Sequence, residues 1–328
     1  MKIAVLGLGA IGGWLAARLS QVPGVHMAAV ARGATLTAVN AHGLSLHIDG
    51  KTVQSPCQVV ADARELGVQD VVILSVKAPA LQDVTTRITP LLGPDTIVLS
   101  AMNGVPWWFL QGFGGAVANR ALRSVDAAGA IAQRIPAAHI IGCVVHASCF
   151  TSAPGVVHHH FGNSLILGEP SGIKTQRVQK LVALLQQAGF VATLSEQIQK
   201  DIWYKLWGNM TMNPISAITG ATTDRVLDDD LVRGFISSVM LEAKEIGVRI
   251  GIPIDQQPED RHAVTRNLGA FKTSMLQDVE AGKPVELDAL VSAVQELGSM
   301  TGVAIPNTNA LLGIARLHAR VRGLYAAP

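Results

Sequence analysis

Two stretches of this 328-residue sequence combine residue types at a spacing that does chemistry. The first is Gly7-Leu8-Gly9-Ala10-Ile11-Gly12, a Gly-x-Gly-x-x-Gly pattern set between an apolar run, Lys2 to Leu6, and a helical run, Gly13 to Leu19. That order makes a phosphate cradle: the first glycine permits a tight turn, the second lets the backbone approach a pyrophosphate, and the third allows close helix packing. The unpaired N–H groups of the helix start then face the phosphates. The second stretch runs from Asp201 to Pro214, where Lys205, Asn209 and Asn213 recur every four residues among Trp203, Tyr204, Trp207, Met210 and Met212. On a helix these three stack along one side, drifting about 40° per step. Neutral amides orient substrate oxygens without adding charge, and desolvation lowers a lysine pKa. The stripe therefore reads as a polar cleft for a small substrate, with Lys205 as general acid. Pro214 disfavours helical geometry at the residue before it, so Asn213 is expected at a helix end or kink.

Beyond the glycines the chain reads Val30-Ala31-Arg32-Gly33. A carboxylate at the end of the second strand would bond a ribose 2′-hydroxyl, whereas an arginine there pairs with a 2′-phosphate, so the expected cofactor is NADP(H) rather than NAD(H). Lys77 follows the run Val71 to Val76, and Asn103 follows Thr96 to Ser100. Ligands of open α/β sheets bind outside the carboxyl ends of the strands, so both side chains are aimed at the cofactor crevice. Taken alone, Ser274 is an ordinary cap and Glu286 an acid at a helix start. The run His158-His159-His160 suggests metal at first sight, but consecutive strand residues alternate faces and no acid or thiol partner is near in sequence. A structural role is expected for it, and no metal site.

The elements that must position these residues alternate in the first half between short β-rich runs and helical stretches, the pattern of helices packed on both faces of a parallel sheet. Strands are expected at Lys2 to Leu6, Val25 to Val30, Val71 to Val76 and Thr96 to Ser100. Leu44 to Ile48 and Thr52 to Gln54 flank Asp49-Gly50, a hairpin-turn dipeptide. Later strands are Cys143 to Cys149, Val156 to His160 and Leu165 to Leu167, followed by a helix carrying Val178, Leu181, Val182 and Leu185, then a strand from Val191 to Leu194. After that the sequence reads helical: Gln197 to Thr211, Leu231 to Gly247, Pro258 to Ala270, Leu287 to Thr301 and Asn309 to Val321. The fold class is an α/β Rossmann-type N-terminal domain, residues 1–196, with an all-α C-terminal domain, residues 197–328.

That length suits two cores better than one. Hydrophobic residues make up 49% and charged residues 15%, which points to large buried sheets, subunit contacts such as a homodimer, or both. The net charge of +2 and the lack of Lys/Arg runs with interleaved aromatics argue against a nucleic-acid partner. No uninterrupted apolar run is long enough for a membrane span. Met1 to Ala17 has the outline of a signal peptide, but its glycines fit the dinucleotide pattern better. Cys57, Cys143 and Cys149 have neither disulfide-framework nor metal spacing, so reduced thiols and a cytoplasmic setting are expected.

Several separated motifs together resemble the ketopantoate (2-dehydropantoate) reductase family, from Met1 to about Arg316. They are the N-terminal glycine pattern, Lys77, Asn103-Gly104, then Lys205-Leu206-x-x-Asn209-x-x-x-Asn213-Pro214-Ile215-Ser216-Ala217, Ser274-Met275-Leu276-Gln277-Asp278 ahead of Glu286-Leu287-Asp288, and Gly302 to Thr308. The resemblance implies NADPH-dependent reduction of a 2-oxo acid and a C-terminal domain like that of 6-phosphogluconate dehydrogenase. It implies cofactor contacts from Gly7, Leu8, Gly9, Ala10, Ile11, Gly12, Arg32, Lys77, Asn103, the Ala147 backbone and Glu286. Lys205 and Glu286 would be catalytic, and Asn103, Lys205, Asn209, Asn213 and Ser274 would hold the substrate. Two departures stand out. A tract after Asn103-Gly104, with Val105-Pro106-Trp107-Trp108-Phe109, is roughly 20 residues longer than in short members of the family and is expected to reshape the pocket. Thr223 stands where the family has an asparagine. The aromatic tract keeps open a reductase of the same fold acting on another 2-oxo acid; a rival of a different class is an NADPH-binding sensor without chemistry.

Overall fold

A computed structural model describes residues 1–326. The chain forms two compact units: Met1–Met102 with Ala130–Ile198, and Asn103–Gly129 with the chain from Gln199 onward.

In the first unit β1 (Lys2–Leu6), β2 (His26–Val30), β3 (Leu44–Ile48), β4 (Lys51–Ser55), β5 (Gln58–Val60), β6 (Val71–Leu74), β7 (Ile97–Ser100), β8 (Ile140–Ala153), β9 (Val156–Gly168) and β10 (Val191–Leu194) build one sheet. Its order is β4-β3-β9-β8-β7-β6-β1-β2-β5, with β10 paired to β9. Pairing is parallel except in the β3/β4 and β8/β9 hairpins. The central strands are continuous Val, Ile, Leu and Ala because both faces are covered. Ile3, Val5 and Ile73 join the core cluster with Trp14, Leu15, Leu181 and Leu185, while the alternate residues Ala4, Val72 and Val98 are buried equally.

The helices of this unit are α1 (Ala10–Leu19), α2 (Gly33–His42), α3 (Ala78–Ile88), α4 (Ala130–Arg134) and α5 (Gln176–Gln187). A Cβ on Gly13 would lie 2.6 Å from Val157 Cγ2, so α1 rests on β9 at a distance that only glycine permits. The β3/β4 turn has Asp49 at φ 51° and Gly50 at φ 71°, the two positive angles of a tight hairpin. Val156 to His160 and Leu165 to Leu167, expected as separate strands, are one strand. The interruption at Phe161-Gly162-Asn163 is absorbed by irregular pairing with β8, where Gly162 adopts φ 78°. The three-residue β5 was too short to carry a period.

The second unit is helical: α6 (Ile198–Thr219, its first residue in the first unit), α7 (Thr223–Asp228), α8 (Asp230–Arg249), α9 (Pro258–Arg266), α10 (Ser274–Glu280), α11 (Ala293–Thr301, entered through a π-helical turn at Asp288–Ser292) and α12 (Pro306–Val321). Pro214 does not end the helix at Asn213. The helix runs on to Thr219, with Pro214 inside it, because the following turn buries Ile215, Ser216 and Ala217. Packing outweighs the loss of one backbone donor. The Asn307-Thr308 motif proves to be a cap: the Glu242 carboxylate accepts from both backbone N–H groups and both side chains, at 2.7 to 2.8 Å. Thr223, at the family's asparagine position, is buried and donates to the Gly269 carbonyl at 3.0 Å.

The aromatic tract after Gly104 is packed inside the second unit. Trp107 is 4% exposed and Trp108 fully buried, with Phe109 packed 6.0 Å from Trp203. The tract is pinned by Glu296, which accepts from the Arg123 and Ser124 N–H groups at 2.8 Å. Both indoles are buried within the helical unit.

Candidate active site

Within the first unit, β1 delivers the chain to Gly7, whose φ of 102° turns it sharply into α1. A Cβ on Gly12 would lie 2.1 Å from the Gly7 carbonyl oxygen and 2.3 Å from Ser75 Oγ, an impossible contact, whereas a Cβ on Gly9 would meet nothing within 4 Å. The loop is thus closed on its inner side and open where a phosphate would approach. Ser75 Oγ donates to the Gly7 carbonyl at 2.9 Å and ties the turn to the end of β6. These features fit a dinucleotide: α1 presents its first N–H groups, at Ala10, Ile11 and Gly12, beyond an unobstructed glycine.

A cleft of about 290 Å³ runs along this loop, lined among others by Gly7, Leu8, Gly9, Ala31, Arg32, Thr35, Val76, Asp83 and Arg87. It joins the glycine turn to Arg32. What sequence reasoning missed is the other wall. Arg32 Nη2 bonds Asp83 Oδ2 at 2.7 Å, and Arg87 reaches the same carboxylate at 3.2 Å. Asp83 and Arg87 lie one turn apart on α3, far from Arg32 in sequence; their i, i+4 spacing was the available signal. The cleft therefore holds two guanidinium groups with an acid between them. Lys77 stands at the start of α3, directly after the cleft residue Val76. Ala147 is half-buried on β8, packed against the sheet core beside the irregular pairing.

In the second unit, Lys205 Nζ donates to Asn103 Oδ1 at 2.7 Å. Asn103 is held by the turn that follows it: Gly104 has φ 81° and would clash at 2.5 Å with the Ala289 carbonyl if it bore a Cβ, and Val105 N donates to that same carbonyl at 2.8 Å. The asparagine is thereby anchored to the π-helical turn next to Glu286-Leu287-Asp288. π-Turns recur at functional sites, because the widened turn re-aims side chains. Glu286 is buried and has Val285 as its neighbour, whose N–H donates to the Leu324 carbonyl at 3.1 Å. Asp288 accepts from Tyr325 Oη at 2.5 Å and from Ser292 Oγ at 3.0 Å, and burial together with that acid pushes the Tyr325 hydroxyl up to about 12.

Between Asp201 and Asn213 of α6 the accessible residues are Asp201, Tyr204, Lys205, Gly208 and Asn209, all half-buried between buried neighbours. Asn213, one turn further, is buried. The polar stripe is therefore half-buried from Asp201 to Asn209 and buried at Asn213. Ser274 is exposed at the first turn of α10, and the cap of that helix is Thr273, whose side chain accepts from Leu276 N at 3.2 Å. The structure brings Lys205 and Asn103 into contact; Asn209 and Asn213 continue the same helix, and no bond joins Ser274 to them.

The histidine run is occupied otherwise. His158 stacks between His47, 4.4 Å away, and Phe150, 4.8 Å away, and His159 stacks on Trp14 at 5.7 Å. Among the described residues no group of three or more His, Cys, Asp or Glu is placed to hold a metal ion.

Comparison with known proteins gives a consistent result. The model described as ketopantoate reductase PanE/ApbA matches residues 3–172, and that described as ketopantoate reductase PanE/ApbA C terminal matches residues 197–319. A 2-dehydropantoate 2-reductase from Mesorhizobium japonicum is 44% identical over 326 residues, covering 99% of this chain and 100% of its own. Among solved structures, a protein of Ralstonia solanacearum MolK2 is 54% identical with a TM-score of 0.94, covering 98% of this chain and 99% of that one. A 2-dehydropantoate 2-reductase from Methylococcus capsulatus is 26% identical with a TM-score of 0.83, covering 98% of each chain.

Proposed function

The chain belongs to the ketopantoate reductase family, and from that premise we infer that it is an oxidoreductase reducing 2-dehydropantoate to pantoate with NADPH, a step of pantothenate biosynthesis. The observation that carries the chemistry is the 2.7 Å bond from Lys205 Nζ to Asn103 Oδ1, which fixes a cationic donor at one point on a half-buried polar stripe.

Bound NADPH would supply hydride to the keto carbon. The glycine turn and the α1 N-terminus would hold its pyrophosphate, Arg32 its 2′-phosphate, and Lys77 and the Ala147 backbone would complete the cradle. Residues 1–196 serve in this reading as the NADP-binding domain and 197–328 as the substrate and catalytic domain, with 103–129 packed into the latter. Lys205 donates a proton to the ketone oxygen as it gains negative charge. Asn103 accepts from Lys205 through Oδ1, so its Nδ2 end is the one suited to donate to the carbonyl. Asn209, Asn213 and Ser274 would orient the remaining polar groups of the substrate, and Glu286 would lie at the nicotinamide. The burial of Trp107 and Trp108 supports 2-dehydropantoate over a pocket reshaped by their rings toward another 2-oxo acid.

A homodimer and a cytoplasmic location belong to the same proposal. Ile314, Leu317 and Val321 form an exposed apolar stripe on α12 suited to a second subunit, and the three cysteines are free thiols. Among the described residues no helix is long and apolar enough to cross a membrane. With a net charge of +2, no nucleic-acid partner is proposed. The function is tested by following NADPH absorbance with a panel of branched, aromatic and hydroxylated 2-oxo acids. Preferred turnover of 2-dehydropantoate is expected; tight NADPH binding with no turnover across the panel would leave a sensor.

A further inference from the structure

On α9, Arg261 extends its guanidinium over the accessible stripe of α6. Its Cζ lies 5.4 Å from the Tyr204 ring centroid. A Cβ built on Gly208 would come within 2.8 Å of Arg261 Nε, so the guanidinium rests against helix backbone at the one stripe position that has no side chain. Arg261 Nε is buried without a hydrogen-bond partner, and no carboxylate pairs with the guanidinium among the described residues. Burial holds its pKa below the ordinary arginine value, with the neighbouring Tyr204 opposing that effect.

An arginine in this setting is costly. Its planar fork carries five donors; the Nε–H is shut off from water without an acceptor, and the one aromatic face attracts the charge without meeting that donor. The half-buried Arg177, by contrast, is paired with the buried acid Glu169. Arg261 has the geometry of a cation awaiting an anion. Lys205 is three residues before Gly208, hence the adjacent side chain on that helix face. Two cationic groups thus border one half-buried stripe, and a 2-oxo acid presents to them the two matching features on adjacent carbons: a ketone oxygen and a carboxylate.

We propose that Arg261 is a substrate-binding residue whose guanidinium takes the carboxylate of the 2-oxo acid while Lys205 faces the ketone oxygen. The assignment rests on the reductase reading above. It gives Gly208 a role as well, since any side chain there would push the fork off the helix.

The test compares wild type, Arg261→Met, Arg261→Lys and Gly208→Ala on 2-dehydropantoate and on its lactone, which keeps the ketone and lacks the carboxylate. Loss of a charge-assisted bidentate contact predicts a KM increase of ~10- to 100-fold for the acid in Arg261→Met, with a smaller change in kcat. The lactone should lose much less, so the acid-to-lactone ratio of kcat/KM falls by ~10-fold or more. Arg261→Lys should recover part of the ratio, and Gly208→Ala, which leaves the arginine in place, should shift it in the same direction as Arg261→Met. An equal loss on acid and lactone, or an unchanged KM for the acid, overturns the proposal while leaving the reductase reading intact. Calorimetric binding of oxamate, a non-reducible 2-oxo acid mimic, reads the contact without turnover. Weaker oxamate binding in Arg261→Met supports the proposal, and equal binding overturns it. Wild-type protein that reduces no 2-oxo acid would instead defeat the reductase reading itself.

Discussion

Lys205 and Asn103, 102 positions apart in the chain, meet in one 2.7 Å hydrogen bond in which the ammonium donates to a neutral amide oxygen. Replacing Asn103 with Asp would put a negative charge beside that ammonium and favour its protonated form. A proton donor made less acidic transfers its proton less readily. Asn103→Asp is therefore expected to lower kcat and to move the alkaline limb of the pH–rate profile upward. Asn103→Ala should lower kcat without that displacement. A profile for Asn103→Asp that superimposes on wild type would show that the pair does not set the titration.

The two-arginine cleft predicts a cofactor phenotype. Asp83 pairs with both Arg32 and Arg87, and a 2′-phosphate held by the same guanidinium groups competes with that carboxylate. Arg32→Ala and Arg87→Ala should each weaken NADPH binding by ~10- to 100-fold and NADH binding far less. Asp83→Asn should tighten NADPH. Fluorescence titration with each nucleotide measures this directly, and an Arg87→Ala protein with unchanged NADPH affinity would confine the phosphate to Arg32.

Trp108 should prove structural. Its side chain is fully buried, so Trp108→Ala is expected to cost ~3–5 kcal/mol of stability, read from denaturant midpoints at constant slope. The relative kcat/KM values across the 2-oxo acid panel should stay as in wild type. A changed preference at full folding would return the tryptophan to the pocket.

His262 is expected to make the fold acid-sensitive. It is 5% exposed, with Nε2 paired to Ser237 Oγ at 2.9 Å, and burial lowers its pKa, with Glu259 opposing and Arg233 and Arg266 adding to the effect. A group with a depressed folded pKa contributes stability that is present above its unfolded value, about 6.5, and is lost as pH falls through the folded value. Melting temperature should therefore decline below pH ~6.5, and His262→Gln should flatten that decline. An identical pH slope in the variant would assign the sensitivity elsewhere.

Much of this was legible before any coordinates. The Gly7 to Gly12 turn, Arg32 at the next strand end and the Lys205 stripe depend on local spacing, and the parallel strands announce themselves as short apolar runs. Asp49-Gly50 named its hairpin because both residues take positive φ. What stayed hidden depends on contacts distant in sequence. Asp83 and Arg87 acquire meaning only when α3 faces Arg32, Arg261 only when α9 lies over Gly208, and Trp107 and Trp108 looked like pocket residues until packing placed them in a core. Pro214 misled for the opposite reason, because a local preference gave way to the burial of the turn after it.

The most direct test of the central claim is single-turnover reduction of 2-dehydropantoate by NADPH-loaded wild type and Lys205→Ala, with NADPH affinity measured on the same samples. If Lys205 is the proton donor, the variant keeps its NADPH affinity and its reduction rate falls by on the order of 10²- to 10⁴-fold. A variant that reduces the ketone at a near-normal rate would contradict the account.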